Sequence, residues 1–164
     1  MVMSVYNSIS GALKRQFDAT LKMVRHGIDD VPDDKWAWEK GDWCYSLTLY
    51  HVLETMEFYL GSDPKEMKWG KRAGFDWDDI PEKKRDVLPL ITKELALKYL
   101  IEIQNLLDSK FETLSDEDVL KKDGFDWFAN VFEKLAYLLR HNQHHLGELS
   151  LSSRINTGKS IKWT

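Results

Sequence analysis

Five histidines could do acid–base or metal chemistry here, and three of them crowd into Arg-His-Asn-Gln-His-His-Leu-Gly-Glu-Leu, residues 140 to 149. His141 and His145 are four apart, so on a helix their rings lie one turn apart on the same side. Two imidazoles placed that way can share one metal ion, and His51, far upstream, is available as a third donor. Three neutral imidazoles suit zinc, nickel or iron and leave a coordination position for water or substrate. Whether they act together depends on whether the helices that carry them converge.

Other site chemistries fit less well. A zincin needs His-Glu-x-x-His, with the glutamate as base, but position 142 is Asn. Carboxylate-bridged di-iron bundles use Glu-x-x-His, and no histidine of this chain has a glutamate three residues before it. No Gly-rich phosphate loop and no Gly-x-Ser-x-Gly elbow is present. Cys44, the only cysteine, has no base beside it in sequence and is expected to pack rather than react. His26 falls at the end of a helical pattern, where a cation favours the helix dipole.

The elements that must position these residues are helical. Ile9, Leu13, Phe17, Leu21, Val24 and Ile28 recur at spacings of three and four, which predicts an amphipathic helix over about residues 4–28. Residues 29–46 form a Trp-rich loop (Trp36, Trp38, Trp43) closed by Ser46, an expected N-cap. A second helix over 47–60 stops at Gly61, and a long connection follows over 61–89. A third helix is expected over about 90–111, and a fourth from Asp126, a candidate N-cap, to about Arg154. Gly74-Phe75-Asp76-Trp77 recurs as Gly124-Phe125-Asp126-Trp127, which we take as a repeated loop leading into a helix. The Trp-rich loops either roof a pocket or anchor the chain. Four helices with unequal connections predict an all-α four-helix bundle, with the long connections after helices one and two.

On the fourth helix, a stripe centred on Val131, Leu138 and Leu149 puts His145 about 40° and His141 about 80° away, with His144 about 140° away toward solvent. On the second helix, Leu49, Leu53, Met56 and Leu60 make one stripe, and His51 lies on the far side with Leu47, Glu54 and Phe58. Both sides are apolar, so periodicity leaves the direction of His51 open. Glu54 and Glu148, each three residues after a candidate ligand, are the candidate acceptors that would fix a ring tautomer.

At 164 residues the chain is expected to be a single domain, 1–164. Its net charge of −4, with no basic cluster, argues against nucleic-acid binding. No apolar run is long enough to span a membrane. The first residues lack a basic region followed by an apolar core, so no signal peptide is expected. One cysteine allows no internal disulfide, and a cytoplasmic location is the expectation.

With His141-x-x-His144-His145-x-Gly147-x-Leu149, Leu49-x-His51-x-Leu53-Glu54 and the upstream Val31-Pro32 and Trp38, the chain resembles the DinB/YfiT-like superfamily of four-helix bundles. The resemblance covers nearly the whole chain in element order. It implies a divalent metal held by His51, His141 and His145, and so a His51 that faces the last helix. Leu146 and Glu148 depart from the Arg and Gln of many relatives. The resemblance further implies a small-molecule substrate and a homodimer. Its characterised members include thiol-dependent S-transferases and isomerases that use bacillithiol, mycothiol or glutathione. A metal-dependent thiol S-transferase or related hydrolase is therefore one expectation. A non-catalytic, stress-related bundle that binds metal or another ligand is the alternative.

Overall fold

The computed structural model describes residues 8–37, 39–40, 43–77 and 91–164, with backbone alone at residues 39, 40 and 43. Four long helices dominate: α1 (Ile9–Asp29), α3 (Tyr45–Leu60), α4 (Lys93–Thr113) and α5 (Val131–Thr157). A single turn, α2 (Asp33–Trp36), and a two-residue antiparallel pairing of 39–40 with 43–44 occupy what was expected to be plain loop. The chief contacts run α1–α4, α4–α3, α3–α5 and α5–α1, which closes a ring of four helices around one apolar cluster. This is the expected all-helical bundle. Among the described residues no helix is long and apolar enough to cross a membrane.

Local chemistry explains where the helices begin and end. The Ser8 hydroxyl accepts from Gly11 N–H, and the Asp116 carboxylate accepts from Ile9 N–H and Ser10 N–H at 3.0 and 2.9 Å. An anion on those first amides also complements the helix dipole. The expected stripe of α1 is buried at Leu13, Phe17, Leu21, Val24 and Ile28, whereas Ile9, in the first turn, is 43% exposed. Residues 4–7 of that expected helix lie outside the described residues. Full burial of side chains such as Phe17 and Val24 contributes roughly 1.5–3 kcal/mol each.

Two expected caps are corrected. Cys44, not Ser46, holds the N-cap position of α3, without a side-chain bond to the helix; Ser46 lies in the first turn, its Oγ 3.2 Å from Cys44 Sγ. Asn130, not Asp126, caps α5, its side chain accepting from Glu133 N–H. The start moves because residues 121–130 are pinned elsewhere. Lys134, fully buried, donates to Gly61 O at 2.7 Å and pairs with Asp123, its ammonium 4.1 Å from the centre of the Phe125 ring. Gly124 N–H donates to Ser62 O at 2.9 Å. The second copy of the repeated Gly-Phe-Asp-Trp lies in the loop that runs into α5, and residues 78–90 after the first copy lie outside the described residues. In the second copy Phe125 is a buried plug against Phe58 and Tyr59.

α3 is buried on nearly every side because α4 and α5 flank it. That accounts for its two apolar stripes within the chain itself. Trp36 is an anchor, buried and donating from Nε1 to Ile91 O at 2.6 Å. Trp38 and the Trp43 side chain lie outside the described residues.

Candidate metal centre

The packing of α3 on α5 decides what periodicity left open. His51 points into that seam, and its Nε2 lies 3.3 Å from His141 Nε2. One ring nitrogen from each of His51, His141 and His145 falls within 4.8 Å of the other two. The ring centres are 5.2, 5.1 and 4.6 Å apart for the pairs 51–141, 51–145 and 141–145. Two nitrogens bound tetrahedrally to one zinc-sized ion, each at about 2.05 Å, sit about 3.3 Å apart. The spacing of His51 and His141 already has that value, and a His145 ring nitrogen lies within 4.8 Å of both.

The electrostatics favour neutral rings. Burial, then the neighbouring His145 and His141, push the His51 imidazole down to about 4. Burial, followed by His145, also lowers His141, against a smaller upward pull from Asn142. A neutral imidazole has the lone pair a metal needs, so His51 and His141 can engage a divalent cation without prior loss of protons near neutral pH. The other ring nitrogens meet acceptors. His145 Nδ1 lies 2.9 Å from Glu148 Oε2. His141 Nδ1 lies 3.4 Å from Asn142 Oδ1 and 3.5 Å from Thr55 Oγ1. When Nδ1 carries the proton and donates it to such an acceptor, the lone pair is left on Nε2, the atom that in His141 faces His51. Tyr137 stacks on the His141 ring at 6.1 Å and 27°.

Of the two candidate acceptors from the sequence, Glu148 stands beside His145 and Glu54 does not stand beside His51. The Glu54 carboxylate accepts from Gly70 N–H at 2.6 Å and Trp77 Nε1 at 2.8 Å. It is 1% exposed, and burial raises its pKa against those two donors. Its role is to hold residues 70–77 against α3. His144 stays out of the seam, 68% exposed, with Nε2 at 3.3 Å from Glu148 Oε1. His26 lies at the far end of α1, with Nδ1 3.7 Å from Asp30.

Asn142 and Thr55 were passed over in the sequence. A signal for Asn142 existed: it interrupts the four-residue row Leu138, Leu146 with an amide, and such a buried amide calls for a partner. Thr55 gave none, since its hydroxyl is also occupied by the His51 and Val52 carbonyls at 3.0 Å each. Of the two roles open to the Trp-rich loops, Trp69 and Trp77 of the connection after α3 line a cleft of about 300 Å³ with Met67, Lys68, Lys71 and Asp76, and no residue of the triad reaches it.

A family model described as the DinB superfamily matches residues 16–149, a span that includes His51, His141, His145 and Glu148. No curated protein and no solved structure matches the chain.

Proposed function

The chain belongs to the DinB superfamily, and on that premise we propose that it holds one divalent cation through His51, His141 and His145. The observation that carries this reading is the convergence of three ring nitrogens from α3 and α5 within 4.8 Å of one another. Zinc, nickel and iron all accept such a donor set. Three protein donors leave a further position open. We propose that this position serves a metal-dependent thiol S-transferase or related hydrolase, with bacillithiol, mycothiol or glutathione as the class of thiol. The ion, when bound, would lower the pKa of a thiol or water placed there.

The chain's own residues do the remaining work in this scheme. Burial keeps His51 and His141 in the neutral, ligating form. Asn142 and Glu148 set ring orientation by taking the Nδ1 protons of His141 and His145. Tyr137 covers one face of the His141 ring.

Elemental analysis of protein purified without an affinity tag tests the metal: about one ion per chain in the wild type, with loss in His145→Ala. A panel of thiols with a chromogenic electrophile tests the enzyme, and His51→Ala must abolish turnover. Turnover untouched by that substitution refutes the catalytic reading, and a stoichiometric ion without turnover favours the non-catalytic one. The cytoplasmic setting and the homodimer are part of the same proposal. Because α4 and α5 already cover both sides of α3, a dimer would use another face, and mass in solution tests it.

A further inference from the structure

A second group of donors lies beside the triad, and it shares one residue with it. His144, His145 and Glu148 each offer a ligand atom within 4.8 Å of the other two. Glu148 bridges the two rings, with Oε1 3.3 Å from His144 Nε2 and Oε2 2.9 Å from His145 Nδ1. The exposures form a gradient: the His144 side chain is 68% exposed, Glu148 36% and His145 12%. An ion arriving from solvent meets His144 and Glu148 first.

From this geometry we infer a surface docking site for a first-row divalent cation, made of His144, His145 and Glu148, that feeds the inner site. The inference rests on the reading of His51, His141 and His145 as the inner site. Two imidazoles and a carboxylate are a competent donor set for such ions. Unlike the inner triad, this set includes a carboxylate, and His144 and Glu148 reach solvent, so an ion can engage them before it meets the buried rings. Residues 144 and 148 are one helical turn apart, and around the axis Glu148 falls between His144 and His145, so α5 alone presents all three.

The shared ring makes the two sites exclusive. A neutral imidazole has one lone pair and one N–H. With the lone pair on Nδ1, His145 serves the outer site beside Glu148. With the lone pair on Nε2, it serves the inner one, and the Nδ1 proton is donated to Glu148. Transfer inward therefore exchanges His144 and Glu148 for His51 and His141, while the ring proton changes nitrogen through solvent. No bond other than metal–ligand and N–H bonds changes.

Zinc titration against a chromogenic chelator tests this, with helicity measured to confirm folding. The double variant H51A/H141A is expected to keep one weaker zinc per chain, and adding H144A is expected to abolish it. Equal binding by the double and triple variants overturns the site. H144A alone is expected to leave the final zinc content at one per chain but to slow loading severalfold in stopped flow; an unchanged rate overturns the feeding role. If instead H51A/H141A binds as tightly as the wild type, the inner reading has failed, and the H144A step still decides the outer one.

Discussion

His51 permits a quantitative test of the idea that burial beside two other rings keeps it neutral. In the folded chain its pKa falls from 6.5 to about 4, chiefly through burial. A group depressed on folding contributes stability that is fully present above the unfolded value and is lost as pH falls through the folded one. The window therefore runs from about 6.5 down to about 4. At about 1.4 kcal/mol per pH unit, the loss attributable to His51 between about pH 7 and about pH 5 is ~2 kcal/mol. His51→Gln keeps a polar side chain of similar size and removes the titration.

Urea unfolding of the chelator-treated protein at a series of pH values measures this. The carboxylates of Glu57, Asp108, Asp116 and Asp118 also lie below their ordinary range and lose stability in acid. They do so equally in both proteins, so the quantity to plot is wild-type stability minus that of H51Q. It should fall by ~2 kcal/mol over those two units. Parallel curves would refute the argument, because they would mean that water or a conformational change lets His51 carry charge freely. With excess zinc present, the wild type should unfold at higher urea than its metal-free form above about pH 6, and that gap should close in acid as protons displace the ion.

Two further substitutions test the frame around the site. Lys134→Met keeps the apolar stem but strips Gly61 O and Asp123 of their cation. It should cost about 3 kcal/mol in urea unfolding, and adding Asp123→Asn should recover part of that; no loss would mean the buried pair contributes nothing. Gly147→Ala, within the histidine-rich run, meets nothing within 4 Å and should raise stability by about 0.5–1 kcal/mol. Gly124→Ala places a Cβ 2.6 Å from Ser62 O and should lower it by about 1–3 kcal/mol. Thermal melts showing the opposite order for the two glycines would overturn the packing described around residues 61–63 and 124.

What could be read from the chain followed from how far each signal reaches. The α1 stripe and the flank of α5 bearing His141 and His145 were legible, because each helix has one dominant apolar side and a period of 3.6 fixes the angles. The direction of His51 was not, because α3 is sandwiched between α4 and α5 and shows apolar residues to both. Periodicity marks which sides are buried but not which neighbour buries them. Glu54 misled for a related reason. Its spacing from His51 is right for an acceptor on one helix, but the polar partners waiting on its side, Gly70 N–H and Trp77, come from a segment with no periodic signature. Asp126 had the right type for a cap, yet tethers through Lys134 and Ser62 O hold its neighbours and move the helix start to Asn130.

The contrast among the buried polar groups carries the strongest argument for the site. Lys134 is met by a carboxylate and a carbonyl, and Glu54 by two N–H donors, each partner opposite in character to the group it meets. In the seam between α3 and α5, His51 Nε2 faces His141 Nε2, with His145 close behind. Two neutral imidazoles can satisfy each other only if one presents N–H and the other a lone pair. The acceptors at the Nδ1 atoms of His141 and His145 favour lone pairs on the Nε2 atoms of those two rings. Lone pairs that face one another repel and are reconciled by a cation between them. Loss of bound metal should therefore loosen this seam before any other part of the bundle, and amide exchange along residues 51–55 and 141–145 should speed up on chelation while α1 and α4 stay protected. Uniform protection with and without chelator would show that the rings are held by packing alone.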